Sequence, residues 1–361
     1  MTGGGYTFLM KFANGKVTVA GDTAVAAPTE RATSSYTVDR SMGPVLSFNT
    51  YNDIFHFLGE PTYGEIEGEQ GDWEFVITKL TEDSIFVKGK KWENEMVFTR
   101  MADGVDWTSY LDSIADVQKR LAVNYSVGNS SDASKMVEIN SATRRILSRT
   151  ADGQMVEQPF YVTPTGIHAV NEPVALGEDK AQDFLVSKAG VLTAKGNENL
   201  TLNSYAPGID TWVGNWTLSA MQGSCDMIIS KVEDQENMLK GTFTAGGYTY
   251  NIGLSFNPET GALNLPSQLI DDPSGRYPAL WLMNADLNKG ILLGQGGMNI
   301  VWHGVSQEGD FEDDGTLASE GYASDTFVAL ACTAKGEPIK ENNQYVFVIE
   351  WYYLSNLTPN K

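Results

Sequence analysis

The chain has 361 residues, of which 42% are hydrophobic and 20% are charged, and this is the composition of a globular protein. Its 46 acidic residues outnumber its 25 basic residues, which gives a formal net charge of −21. Phosphate backbones and anionic lipid headgroups repel that charge, so neither nucleic-acid binding nor direct membrane docking is expected. No apolar run approaches the roughly 20 residues that span a bilayer.

The first predicted element is a β-hairpin in "YTFLMKFANGKVTVAGD". Apolar residues alternate along its first strand, and Asn14-Gly15 provides the two positive-φ positions of a type I′ turn. This turn predicts that Phe12 lies opposite Val17 and that Met10 lies opposite Val19. Further strand-like runs with short polar turns follow, which predicts an antiparallel meander, either a barrel or a sandwich.

The stretch "VLSFNTYNDIFHFLGEP", residues 45–61, concentrates aromatic side chains around one of the three histidines of the chain. One interpretation is that it closes the end of the first barrel as ordinary core. The other is an aromatic platform for a glycan, a peptide or another small nutrient. Flat apolar side chains beside polar groups favour such a platform. The candidate ligand-binding residues are Tyr51, Asn52, Phe55 and His56.

One amphipathic helix is predicted near residues 106–122, in "DWTSYLDSIADVQKRLAV". Apolar residues recur there at helical spacing, and Asp106 is a suitable N-cap. We expect this helix to pack on the outside or across the mouth of the preceding sheet.

A second run of alternating strands begins with "WVGNWTLS", whose Gly-x-Trp start is typical of calycin and lipocalin barrels. The sequence therefore predicts an all-β protein with two antiparallel, lipocalin-like barrels or barrel-like sheets. The predicted domains are residues 1–205, which include the helix, and residues 206–361.

The acidic stretch "GDFEDDGTLASE" offers a candidate metal site. Asp310, Glu312 and Asp314 alternate before Gly315, like the opening of a calcium loop. The bidentate glutamate at the twelfth position is missing, so calcium binding is expected to be weak. The alternative is a solvated acidic hairpin.

The sequence contains no catalytic motif of the common hydrolases, no zinc-ligand spacing and no phosphate-binding loop, so no cofactor is expected. A pair of carboxylates acting on a glycan needs no motif and remains an alternative. Cys225 and Cys332 lie in strand-like runs, which favours two buried free thiols over a disulfide.

Five strings in the first third of the chain carry a family resemblance: "GGGYTFLMKF", "SSYTV", "PVLSFNTYNDIFHFL", "GDWEFVI" and "IFVKGKK". Their order and spacing resemble an uncharacterised family of lipoproteins from gut-type Bacteroidetes, which is carried as a domain of unknown function. The resemblance implies export, lipid attachment at an N-terminal cysteine, and display at the outer membrane beside starch-utilisation-type transporter components. No signal segment, lipidated cysteine or upstream segment is present in this sequence, so either the sequence was trimmed or an element of the first barrel is missing.

The family resemblance brings no catalytic residues. The expected function is therefore that of a non-catalytic surface lipoprotein, which binds a nutrient ligand or an outer-membrane transport partner. A glycan-acting hydrolase is the alternative. Contact with the membrane is expected only through the N-terminal lipid.

Overall fold

The computed structural model describes residues 4–40, 43–61 and 67–360. Strands account for 49% of it and helices for 7%, which confirms the predicted all-β class. The chain divides into two compact units, Met1–Ser204 and Tyr205–Lys361.

The first seven strands form one antiparallel sheet in chain order: β1 (Phe8–Ala13), β2 (Lys16–Gly21), β3 (Ala32–Asp39), β4 (Val45–Phe48), β5 (Glu74–Leu80), β6 (Ser84–Gly89) and β7 (Glu95–Thr99). The predicted hairpin register is confirmed, because Phe12 pairs with Val17 and Met10 with Val19. Unlike the barrels that follow, this sheet is not closed. In a meander of seven strands the first and the last run in the same direction, so they cannot pair as antiparallel neighbours.

Helix α1 (Trp107–Gln118) follows the sheet and confirms the predicted helix. Its N-cap is Asp106, whose carboxylate accepts a hydrogen bond of 3.0 Å from the backbone N–H of Ser109. Leu111, Ile114 and Val117 are buried on one side of the helix, as the helical spacing predicts.

The first closed barrel is an eight-stranded antiparallel meander with one hairpin, β13–β14, inserted. Its strands are β8 (Asn124–Val127), β9 (Met136–Asn140), β10 (Arg145–Arg149), β11 (Met155–Thr163), β12 (Gly166–Ala169), β13 (Val174–Leu176), β14 (Asp179–Ala181), β15 (Asp183–Val186), β16 (Leu192–Ala194) and β17 (Thr201–Ser204). Pairing of β17 with β8 closes it.

The second unit contains the second eight-stranded barrel and a smaller sheet. The strands are β18 (Gly214–Ala220), β19 (Gly223–Lys231), β20 (Met238–Ala245), β21 (Tyr248–Phe256), β22 (Leu263–Pro266), β23 (Gln268–Ile270), β24 (Ala279–Asp286), β25 (Ile291–Leu292), β26 (Gly297–His303), β27 (Glu308–Asp313), β28 (Thr326–Cys332), β29 (Lys340–Glu341), β30 (Gln344–Tyr345), β31 (Phe347–Trp351) and β32 (Asn356–Pro359). The barrel runs β18-β19-β20-β21-β22-β26-β27-β32 and closes from β32 to β18. Strands β23, β24, β28 and β31 form the smaller sheet with β25 at its side, and β29 pairs with β30. Single 3₁₀ turns lie at His56–Gly59, Ala133–Lys135, Ile209–Trp212 and Ala318–Glu320.

Three tryptophans fill the core of the second barrel. The rings of Trp212, Trp216 and Trp302 lie 5.5–6.1 Å apart between centroids. The indole N–H of Trp216 donates to the backbone oxygen of Trp212 at 2.8 Å, so the tryptophan of the Gly-x-Trp start is buried with its polar atom satisfied. Phe48 in the first sheet is equally buried, at 3% exposed.

Both cysteines are free thiols; Cys332 is buried and Cys225 is half-buried. Within the described part of the chain, no helix has the length and apolar character needed to cross a membrane.

Candidate functional site

Two of the four predicted ligand-binding residues, Asn52 and Phe55, are buried and make structural contacts. Asn52 is 2% exposed; its side-chain oxygen accepts from the backbone N–H of Phe55 at 3.1 Å, and its side-chain NH₂ donates to Ser34 at 3.2 Å. Phe55 is 4% exposed, and its ring packs on Phe48 with a centroid distance of 4.4 Å. At these two positions the segment is part of the core beside the first sheet.

The other two predicted residues, Tyr51 and His56, reach the surface. Tyr51 is 56% exposed, and its ring stacks on the His56 imidazole with a centroid distance of 5.3 Å and an interplanar angle of 22°. Trp73, which is 42% exposed, lies 5.9 Å from the same imidazole. We call Tyr51, His56 and Trp73 the aromatic shelf.

Trp73 is held in the shelf by the backbone around it. Its carbonyl accepts from the Phe48 N–H at 2.9 Å. A Cβ atom added at Gly59 would lie 2.9 Å from the indole ring, so the ring packs directly on that glycine. The sequence analysis did not select Trp73. Alternation with the buried Phe75 would have placed Trp73 on the inward face, so no signal in the sequence indicated its exposed position beside His56.

Burial favours the neutral form of the imidazole at the centre of the shelf. Burial lowers the pKa of His56 from its usual value of 6.5. Its Nδ1 lies 2.9 Å from the backbone nitrogen of Asn52, whose N–H points at it, and 3.2 Å from the Asn52 backbone oxygen. The hydroxyl of Tyr51 donates to the carboxylate of Glu60. The shelf thus combines two aromatic rings with an imidazole and lies beside the carboxylate of Glu60.

A buried ion pair joins the sheet to the first barrel. Arg144, between β9 and β10, donates to the Asp22 carboxylate at 2.7 Å, to the Asp22 backbone oxygen at 2.6 Å and to the Gly5 oxygen at 2.9 Å. Both side chains are almost inaccessible. Burial raises the pKa of Asp22 to about 6, against the lowering effect of the guanidinium. These contacts give Asp22 and Arg144 a structural role.

The fold also assembles a polar row on the outside of the first barrel. His168 and Asp183 face each other on β12 and β15 with an Nδ1–Oδ1 distance of 2.9 Å, and the ring of Tyr161 on β11 lies 4.9 Å from the imidazole. The sequence analysis did not find this group, because the pairing of three strands creates it.

The predicted calcium residues lie along a strand. Asp310 and Glu312 belong to β27, and Asp314 follows it, with its carboxylate accepting from the Thr316 N–H at 2.9 Å. A strand separates alternate residues by about 6.6 Å along its axis, whereas calcium ligands converge on one point. Among residues 4–40, 43–61 and 67–360, no three His, Cys, Asp or Glu side chains are grouped closely enough to hold a metal ion. The calcium site stays a prediction, and the geometry does not support it.

One comparison with known proteins gives a match. The model of a family described as a domain of unknown function (DUF4302) matches residues 1–188, which is more than half of the chain. The matched part contains the seven-stranded sheet, the aromatic shelf, helix α1 and most of the first barrel. No curated protein and no solved structure matches the chain.

Proposed function

The chain belongs to the DUF4302 family, and on that premise we propose that it is a non-catalytic binding protein whose ligand contacts the aromatic shelf. The observation that carries this proposal is the exposure of Tyr51 and Trp73, whose rings both lie next to the His56 imidazole. Exposed aromatic rings in one cluster are a common way to bind a ligand with a flat apolar face. Because fold alone does not determine function, the proposal depends on these side chains.

The chemistry of the shelf favours a carbohydrate nutrient. A sugar ring offers C–H groups that pack on aromatic faces, and its hydroxyls both donate and accept hydrogen bonds. The imidazole of His56 supplies a ring nitrogen for hydrogen bonding, and the carboxylate of Glu60 supplies an acceptor at the edge of Tyr51. A neutral ligand also avoids repulsion by the net charge of −21.

The proposed location is the outer membrane, where the protein would be a surface-exposed or periplasmic lipoprotein beside nutrient-transport components. This part of the proposal depends on the family resemblance of the sequence strings. The glycan-hydrolase alternative gains no support from Asp22, because this carboxyl, with its pKa of about 6, is bound to Arg144.

The proposal is tested by a glycan array probed with the full chain, followed by calorimetry on the glycans that bind. We expect Tyr51→Ala and Trp73→Ala each to weaken binding about tenfold, since losing one stacked ring removes about 1–1.5 kcal/mol. Tyr345→Ala is the matched control, because Tyr345 is 41% exposed and lies in the other unit. Glycan binding that both shelf variants retain, or glycan cleavage by the wild type, would refute the proposal.

A further inference from the structure

Strand β21 loses one of its two neighbours partway along its length. It pairs with β20 from Tyr248 to Ser255, but with β22 only at Ser255 and Phe256. Strand β22 ends at Pro266, which has no N–H to donate, and the chain continues as β23 in the smaller sheet. One edge of β21 is therefore left without a neighbouring strand over residues 248–253.

The side-chain amide of Gln268 occupies the first position of this free edge. It accepts from the Gly253 N–H at 2.7 Å and donates to the Gly253 oxygen at 2.9 Å. These are the two hydrogen bonds that a paired strand would make with Gly253. They also show that the backbone groups of Gly253 point away from β20.

The backbone N–H and C=O groups of two more residues also point away from β20. In an antiparallel ladder, the N–H and C=O groups of alternate residues point to the same side of the strand. Thr249 and Asn251 therefore direct their backbone groups to the free edge, and these groups have no hydrogen-bond partner in the described ranges 4–40, 43–61 and 67–360. Together they offer two donors and two acceptors at the spacing of a β-ladder.

A groove of about 320 Å³ runs beside this edge, between Asn251–Gly253 and β23. Leu269, which is 56% exposed, gives it an apolar wall. Its charged lining groups are Lys240 and Asp271, whose charges cancel. In a chain of net charge −21, a locally neutral groove is suited to an uncharged occupant.

We propose that this groove binds an extended, uncharged peptide segment, which pairs with Thr249 and Asn251 as an additional strand. An apolar side chain of the peptide packs on Leu269, and main-chain hydrogen bonds supply the remaining affinity. The site belongs to the second unit and does not depend on the aromatic shelf.

The probe for this site is a displayed library of random heptapeptides, selected on the immobilised full chain. We expect enriched peptides with alternating apolar residues and no net charge. N-methylation of a synthetic selected peptide should abolish binding at alternate positions only, because only every second peptide N–H faces β21. Hydrogen exchange of the Thr249 and Asn251 amides should slow when this peptide binds.

Two variants separate this site from other surfaces. Leu269→Asp should weaken binding of the synthetic peptide at least tenfold. Leu185→Asp, at a 44% exposed strand position in the first unit, should leave this binding unchanged. Asn251→Pro removes one outward N–H at a strand edge where proline is tolerated, and it should have the same effect as Leu269→Asp. Selection that succeeds equally on the Leu269→Asp protein, no enrichment on the wild type, or binding that tolerates N-methylation at every position would overturn the proposal.

Discussion

Replacing Arg144 by methionine should destabilise the first unit more than any exposed charge substitution. Methionine keeps most of the length of the side chain but removes its three hydrogen bonds to Asp22 and Gly5. The Asp22 carboxylate is then left buried without its counter-ion. Breaking a buried ion pair from one side destabilises a protein by about 3–5 kcal/mol, and we expect a loss of that size at pH 8.

The loss should be smaller at pH 5. The pKa of Asp22 in the folded protein is about 6, above its usual value of 3.8, so the folded state holds the proton more tightly than the unfolded state does. The stabilisation from this proton is complete below pH 3.8 and is lost as the pH rises through the folded pKa. In the wild type the guanidinium lowers the pKa of Asp22. Its removal therefore raises this pKa further, so the variant loses stability over a wider pH range than the wild type.

The measurement is a urea titration at pH 5 and pH 8, followed by hydrogen exchange in peptides from residues 1–204 so that the first unit is observed by itself. Arg276→Met is the matched control, because Arg276 makes an exposed 3.5 Å ion pair with Glu341 and should contribute less than about 1 kcal/mol. The reasoning would be refuted by an Arg144→Met loss below about 1 kcal/mol, or by a loss that is equal at the two pH values.

Three further predictions concern packing and metal binding. Phe48→Ala and Trp216→Ala should each lower the free energy of unfolding by about 3–5 kcal/mol, because both side chains are 3% exposed. A loss below about 1 kcal/mol in a urea titration would contradict a core position for that side chain. Gly166→Ala should destabilise the first barrel by about 1–3 kcal/mol, since its Cβ would lie 1.8 Å from a backbone oxygen of the neighbouring strand. Gly208→Ala is the control, because its Cβ would meet no atom within 4 Å, and it should leave the thermal midpoint nearly unchanged. For the calcium site predicted from the sequence, the spacing of Asp310 and Glu312 along β27 leads us to expect no heat in calorimetry with millimolar calcium. A Kd on the order of 10⁻⁴–10⁻³ M that Asp310→Ala abolishes would contradict this expectation and establish the site.

Local signals in the sequence predicted the local elements well. The Asn14-Gly15 turn determines the register of β1 on β2, because both residues have the positive φ that a type I′ turn requires. The helical spacing after Asp106 identified α1, and the Gly-x-Trp string identified the start of β18. Each of these signals lies within a few residues of the structure that it specifies.

What could not be predicted depends on partners that are distant in the sequence. The closure of each barrel pairs its first strand with its last, and the number of strands decides whether the first sheet can close in the same way. At the candidate site, alternation alone could not separate the exposed Tyr51 from the buried Asn52 beside it, because the Asn52 turn changes the direction of the chain there. Trp73, directly before β5, joins the shelf from outside segment 51–59.

The Asp22–Arg144 pair also constrains how this family can diverge. The two residues are 122 positions apart, yet each is the chief polar partner of the other in a buried setting. A lineage that replaces one of them first must pass through an intermediate with an unpaired buried charge, and only a second change at the other position restores stability. We therefore expect homologous chains to keep both residues or to exchange both for apolar ones. In an alignment, these two columns should vary together, and single replacements should be rare.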